Sequence, residues 1–137
     1  MAISKNQIYT NIVNAVTDAF PTAYCAGRIE PIPDHFPAVY ARMIGFSVPV
    51  NSVSLTFDSH LERPTYEVQV FSAKENDAGQ EAYDIMRVVG SVMASMGFLC
   101  DMVEPIDNID PTVFRIVGRW HRIIGDGDTV EDYVPTP

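Results

Sequence analysis

The segment at residues 64–98 limits the possible folds of this chain more than any other part of it. Its first residues alternate between apolar and more polar side chains, which predicts a half-buried β-strand carrying Tyr66, Val68 and Val70 on one face. A charged turn follows. Apolar residues then recur at intervals of three and four, which predicts the buried face of a long helix: Ala82, Ile85, Met86, Val89, Val92, Met93 and Met96. This strand and helix form the predicted core.

Both ends of the predicted long helix have recognisable signals. Asp77 is the predicted N-cap, with Asn76 as the alternative, and Gln80 then stands at the third helical position of a capping box. Gly97 follows the last periodic residue, as a left-handed C-terminal residue does, and Phe98 is expected to pack back on Met93. The helix should be about 28 Å long at 1.5 Å per residue.

The remaining elements are predicted from shorter patterns. Residues 4–7 have the S-x-x-Q spacing of a capping box and begin a first helix that Pro21 ends. Strands are predicted at 24–28, 38–44, 53–57, 99–103 and 113–124, with a turn at 46–51 and loops at 30–36, 59–64 and 104–111. The 53–57 strand is expected to form a long-looped hairpin with the Tyr66 strand.

These elements predict an α+β fold, with two helices packed on one face of a mostly antiparallel sheet. Residues 1–124 are expected to form a single domain. Residues 125–137 are acidic and are expected to be a flexible C-terminal tail that lies loose or docks only on a partner.

The charge and composition of the chain exclude several classes of partner. Its 18 acidic residues outnumber nine lysines and arginines, giving a net charge of −9, so the chain lacks the basic footprint of a nucleic-acid-binding protein. No apolar run reaches bilayer length and no signal-peptide core is present, so we expect no membrane association and assembly inside the cell. Cys25 and Cys100 are therefore expected to be reduced thiols.

No recognised catalytic or metal-binding pattern occurs in the sequence. His35, His60 and His121 stand alone, without the spacing of zinc ligands, and the glycines form neither a phosphate loop nor a dinucleotide fingerprint. We therefore predict a protein that is not an enzyme and that has no catalytic residues, cofactor or metal. The alternative is an enzyme whose site is assembled from scattered residues such as His35, His60 and Asp58.

The last predicted strand concentrates basic and aromatic residues in an acidic chain. Arg115, Arg119 and His121 share one face, Trp120 lies on the other face, and Arg122 follows on the Trp120 side near the strand's end. Such a strand is either half exposed with solvated arginines or an interface between subunits, because arginine beside an aromatic residue is typical of interface hot spots.

Four features together resemble the tail terminator (tail-completion, or neck) proteins of long-tailed bacteriophages. They are a short N-terminal helix before a proline-rich connection, the segment YEVQVFSAKENDAGQEAYDIMRVVGSVMASMGF, the acidic connection VEPIDNID and the strand PTVFRIVGRWHRII. Together they cover nearly the whole chain. The proline content of residues 29–50 departs from the family's layout.

The resemblance implies a structural virion protein that forms a ring, usually of six subunits, at the junction of head and tail. Such a ring caps the tail tube, ends its polymerisation, joins the head through a connector protein and lets DNA pass through its lumen without specific binding. It is assembled in the host cytoplasm. The alternative is a small non-enzymatic adaptor or binding domain acting as a monomer or dimer, with another neck protein as the nearest variant.

The candidate interface combines the basic strand with two polar loops, at residues 31–36 and 59–63, that are expected to make axial contacts. It comprises Arg115, Arg119, Trp120, His121, Arg122, Pro33, His35, His60 and Arg63.

Overall fold

A computed structural model describes residues 5–30, 32–47 and 61–125 of the chain. The helices are α1 (Lys5–Ala19) and α2 (Ala78–Ser95). The strands are β1 (Tyr24–Ala26), β2 (Ala38–Ser47), β3 (Leu61–Ser72), β4 (Leu99–Ile106), β5 (Phe114–His121) and β6 (Ile124–Gly125). The predicted α+β fold is confirmed, with both helices packed against a mostly antiparallel sheet. The predicted strand at 53–57 and His60 lie outside the described residues, as does the start of the first capping box.

The sheet is built around β3, the longest strand. Its order is β1-β2-β3-β5-β4, and β6 pairs with the start of β3. Every pair is antiparallel except β1 and β2, which are parallel. The basic strand β5 is therefore internal, with a neighbour on each side, whereas β4 is an edge strand among the described residues. No helix in the described part of the chain is long and apolar enough to cross a membrane.

The main core lies between the sheet and the two helices. Alternation along β3 turns Tyr66, Val68 and Val70 toward the helices, as predicted, and β5 adds Ile116 and Trp120. The helices contribute their periodic apolar faces, which are fully or almost fully buried: Ile8, Ile12, Val16, Ala82, Ile85, Met86, Val89, Met93 and Met96. Burying each large apolar side chain contributes about 1.5–3 kcal/mol, so this layer provides most of the fold's stabilisation.

The N-terminus of α2 differs from its prediction in one respect. Asp77 occupies the N-cap position but makes no side-chain capping hydrogen bond. Gln80 instead donates to Asp84 at 2.8 Å, so the predicted capping box does not form. Glu81 accepts a hydrogen bond of 2.7 Å from the Ser72 hydroxyl, which ties the first turn of α2 to the end of β3.

The predicted glycine cap at the C-terminus of α2 is confirmed. Gly97 has a φ of 85°. Its N–H donates to the Ala94 carbonyl at 3.0 Å, while the Phe98 N–H donates to the Met93 carbonyl at 2.9 Å. This pair of bonds is a Schellman motif, which satisfies two carbonyls that the helix leaves free. Phe98 is buried in the main core together with Met93.

Several strand boundaries predicted from the sequence are wrong because pairing with neighbours sets them. The β2–β3 ladder continues through Phe46↔Pro64 and Ser47↔Arg63, so Arg63 lies in a strand and not in a loop. The β4–β5 ladder continues through Pro105↔Ile116, which an edge strand tolerates. The last strand, predicted to reach residue 124, ends at His121 and resumes at Ile124 as β6, which also includes Gly125.

Candidate interaction surfaces

The sheet face opposite the helices carries most of the basic strand's charge. Cross-strand pairing places Glu67 beside Arg119 and Phe71 beside Arg115, while Arg42 of β2 lies opposite Glu67. Residues paired directly across strands share a face. Four of the nine lysines and arginines therefore lie on this face, which we call the arginine face: Arg42, Arg63, Arg115 and Arg119. His121 of β5 is on the same side, so the predicted sharing of one face by Arg115, Arg119 and His121 is confirmed.

A buried carboxylate organises the centre of the arginine face. Glu67 is only 4% exposed. Its Oε2 accepts a hydrogen bond from Arg119 Nε at 2.9 Å, and its Oε1 lies 3.8 Å from Arg42 Nη2. A buried carboxylate is stable only when it is hydrogen-bonded and paired, and both conditions are met here. The single carboxylate of Glu67 thus forms ion pairs with both Arg119 and Arg42.

Arg115 extends this network through a neutral partner. Its Nε and Nη2 both donate to Gln69 Oε1, at 2.9 and 2.7 Å. The Gln69 amide nitrogen donates in turn to Glu67 at 2.9 Å. The Arg115 guanidinium also lies over the Phe71 ring, 5.1 Å from its centroid, in cation–π geometry. These contacts hold Arg115 on the sheet without neutralising its charge.

The other candidate residues of β5 and its extension make contacts inside the fold. Trp120 is 2% exposed in the main core. His121 Nδ1 lies 2.6 Å from Asp101 Oδ1 of β4. Arg122 is buried and donates at 2.7 Å to the Met96 carbonyl at the C-terminus of α2, where a cation is stabilised by the helix dipole. Their predicted role in an interface stays a prediction.

Of the loop candidates, His35 lies beside the edge strand β1 and Arg63 lies in β3, inside the sheet. Pro33 is buried and His35 is exposed, with its ring centroid 5.3 Å from that of Tyr24 in β1. Arg63 is exposed and donates to the Ser47 hydroxyl at 2.9 Å. The structure therefore brings Arg63 together with Arg42, Arg115 and Arg119 on one face. His35 contacts Tyr24, which lies on the same side of the sheet because its register partner Ala38 is paired with Phe71.

An apolar groove between α2 and β4 was not predicted. It encloses about 320 Å³ and has Met86, Phe98 and Trp120 in its lining, together with residues from both elements: Tyr83, Arg87, Gly90, Ala94, Leu99, Cys100 and Val103. Leu99 is 63% exposed and Val103 is 39% exposed. The available sequence signal was weak: Gly90 and Ala94 are small residues four apart, outside the apolar stripe of α2.

The opposite edge of the sheet presents protruding apolar side chains. β1 pairs only with Ala38, Val39 and Tyr40 of β2. The rest of β2, within the described residues, has a neighbour on the β3 side alone. There Ile44 is 40% exposed and Phe46 is 61% exposed. One edge of the sheet is therefore concave and apolar, and the other carries apolar projections.

The described residues contain no group of three or more His, Cys, Asp or Glu side chains that could hold a metal ion. Cys25 and Cys100 are not joined to each other by a disulfide. Burial raises the pKa of the Cys25 thiol.

The fold and these surfaces define a small α+β domain with an open sheet, a charged face and two apolar edges. No family model matches the chain, and no curated protein matches it. Among solved structures it is similar to a chain from the cryo-EM structure of an extracellular contractile injection system, "PVC sheath/tube terminator in extended state". The identity is 7% and the TM-score is 0.46, and the match covers 100% of this chain and 64% of that chain. This chain thus spans somewhat less than two thirds of the other's length.

Proposed function

We propose that the chain is a structural, non-enzymatic subunit of a phage-like tail, a tail terminator that forms a closed ring and caps the tail tube. The ring ends polymerisation of the tube and provides the surface to which the head connector joins. The sequence resemblance supports this role. The structural observation that carries it is the presence of apolar surfaces on opposite edges of the sheet, a groove on one edge and exposed side chains on the other.

The two edges suit a head-to-tail contact between copies. Unpaired edge strands offer free backbone donors and acceptors and are prone to pairing with another chain. A contact between two different edges repeats from copy to copy, and it closes into a ring when the rotation per subunit allows. In the proposed ring, the β4 edge of each subunit meets the β2 edge of the next.

Apolar burial would stabilise this contact. The groove beside β4 exposes Leu99 and Val103, and the β2 edge exposes Ile44 and Phe46. Inserting Phe46 of one copy into the groove of its neighbour removes both surfaces from water. Each large side chain buried in this way contributes about 1.5–3 kcal/mol, and every seam of the ring repeats the gain.

The acidic balance of the chain fits a channel for DNA. With a net charge of −9, the subunit can present carboxylates to the lumen, which would repel the phosphate backbone and discourage binding. DNA is thus proposed to pass through the ring without specific contacts. The partners are other copies of the chain, the tube subunit below and the head connector above.

Native mass spectrometry of the full chain, alone and with tube subunits of the same particle, tests this proposal. The expected result is a ring, of six copies by the resemblance, bound at the end of a tube. Electron microscopy of particles made without the protein should show tails of irregular length that lack heads. Tails of uniform length on filled heads would overturn the proposal.

The groove also favours a second candidate function, a small adaptor domain. An apolar segment of another protein could add as a strand to β4 and place side chains in the groove, as in strand-addition recognition. In that case native mass spectrometry would show one copy of the chain, or a dimer, per partner, and no ring with tube subunits.

A further inference from the structure

The positive charge of the arginine face exceeds the negative charge of the carboxylates that contact it. Arg42 and Arg119 are about half exposed, with side-chain exposures of 50% and 47%, and they share Glu67. The hydrogen bonds of Arg63 and Arg115 go to neutral side chains, Ser47 and Gln69. An exposed basic face on a chain of net charge −9 is a surface suited to an acidic partner.

The chain itself contains an acidic segment that begins next to this face. Residues 126–137 have four carboxylates and neither lysine nor arginine: Asp126, Asp128, Glu131 and Asp132. They follow β6 directly, where Gly125 pairs with Leu61 and Ile124 with Glu62. The next residue of β3 is Arg63. The acidic segment therefore starts two residues from Arg63 along the sheet, and because β6 is antiparallel to β3 it starts in the direction away from the arginine face.

The length and composition of the segment allow it to follow the face. The Gly125-Asp126-Gly127-Asp128 sequence is rich in turn-forming residues, which permits the chain to reverse direction. Residues 126–137 can span up to about 40 Å when extended, and β3 covers roughly the same distance at about 3.3 Å per residue. After a reversal, the carboxylates can reach the level of Arg63 and Arg119.

We propose that residues 126–137 dock on the arginine face of their own chain. Arginine forms paired hydrogen bonds with carboxylates, so the face offers several such contacts. Each exposed ion pair contributes only about 0.2–1 kcal/mol, and salt screens it. The docked segment is thus held by a sum of weak contacts and is released by salt. This docking does not depend on the proposed ring.

Chymotrypsin cleavage after Tyr133 in the full chain, followed by mass spectrometry of the released peptide, tests the docking. One variant (Asp128→Asn, Glu131→Gln and Asp132→Asn together) removes three of the four carboxylates of the segment without changing any described residue. Cleavage should accelerate roughly fivefold to tenfold, as expected for the loss of a few exposed ion pairs. In 0.5 M salt the unmodified chain should be cleaved at about the rate of this variant.

A second variant, Arg63→Gln with Arg115→Gln, changes the face instead of the segment and should accelerate cleavage in the same way. Both arginines have neutral partners, so their loss leaves Glu67 paired. Arg87→Gln is the matched control, since Arg87 is exposed on α2 and pairs there with Asp84. Its cleavage should match that of the unmodified chain.

Two results would overturn the proposal. Equal cleavage rates in all variants would show that the segment is not held by the arginine face. Protection that increases with protein concentration would show that the segment docks on a second copy, because docking within one chain is independent of concentration.

Discussion

Glu67 and Tyr40 both carry a buried polar group, but only the Glu67 carboxylate has hydrogen-bond partners among the described residues. Glu67 accepts hydrogen bonds from Arg119 and Gln69 and lies 3.8 Å from the Arg42 guanidinium. The Tyr40 hydroxyl is buried and, among the described residues, has no hydrogen-bond partner. A buried polar group without a partner loses its hydration and gains nothing in return. Opposite consequences follow for substitutions at the two sites.

Arg119→Ala should destabilise the protein by about 2 kcal/mol. The change removes the 2.9 Å hydrogen bond to Glu67 and leaves this nearly buried carboxylate with Arg42, at 3.8 Å, as its cationic neighbour. Urea denaturation measures the free energy of unfolding. The matched control is Arg63→Ala on the same face, where an exposed arginine bonds only the Ser47 hydroxyl and the change should stay within about 0.5 kcal/mol. Equal effects of the two substitutions would contradict the central role of Glu67.

Tyr40→Phe should stabilise the protein by about 1 kcal/mol at neutral pH, because it removes the unpartnered hydroxyl and keeps the ring. Burial raises the pKa of Tyr40 from 10.0 to about 12. The folded state therefore keeps the Tyr40 proton where the unfolded chain loses it. The free energy of unfolding is accordingly unaffected by this group below about pH 10 and falls as pH rises from 10 toward 12.

Urea denaturation between pH 9 and pH 12 checks both parts of the Tyr40 prediction. Tyr40→Phe should lose less stability over this range than the unmodified chain. Some loss should remain, because burial also raises the pKa of Tyr66 to about 12. Tyr83→Phe is the control, since Tyr83 is 37% exposed on α2. A loss in Tyr40→Phe as steep as in the unmodified chain would count against the prediction.

The helix α2 is the element whose ends depend most on local sequence. Gly97 adopts a φ of 85°, which strains any residue with a Cβ. Gly97→Ala should therefore cost about 1 kcal/mol in thermal or urea denaturation. Gly79→Ala, near the other end of α2, is the control: a Cβ there meets the Phe114 ring at an ordinary 3.6 Å, and alanine favours the helix. If both substitutions have the same effect, the left-handed cap does not contribute as proposed.

Elements defined by local signals were predicted from the sequence, whereas boundaries and pairings that depend on distant contacts were not. The strand, helix and glycine stop at residues 64–98 follow from periodicity and capping residues within one segment. By contrast, β4 continues through Pro105 because β5 supports it, and the last strand ends where Arg122 turns to the Met96 carbonyl. The parallel pairing of β1 and β2 has no local signal either.

For the candidate surfaces, too, the sequence predicts what depends on one strand and does not predict what depends on contacts between elements. Alternation along one strand is enough to predict that Arg115, Arg119 and His121 share a face. Their contacts with β3 could not be read from the sequence, because Glu67 and Arg119 are far apart in the chain. The groove was missed because it exists only where α2 and β4 lie side by side.

Two matched substitutions on the whole molecule test whether the apolar groove at the β4 edge forms the contact between subunits of the proposed ring. Leu99→Glu places a carboxylate in the groove, and Ile109→Glu introduces the same charge at an exposed residue between β4 and β5. Leu99 is 63% exposed and Ile109 is 77% exposed, so neither change should greatly affect folding. Leu99→Glu should weaken each seam by about 2 kcal/mol or more, in the range of interface hot spots, and abolish the ring, whereas Ile109→Glu should assemble normally.

A second substitution on the opposite edge separates a head-to-tail ring from other arrangements. Phe46→Glu should abolish the ring as Leu99→Glu does, because each seam needs one groove and one projecting edge. When the two variants are mixed, the intact groove of the Phe46→Glu chain can still receive Phe46 of the Leu99→Glu chain. One seam then forms and the other two edges remain blocked, so native mass spectrometry should show one-to-one dimers that grow no further. Mixed rings, or no dimers beyond those of each variant alone, would show that the subunits meet through other surfaces.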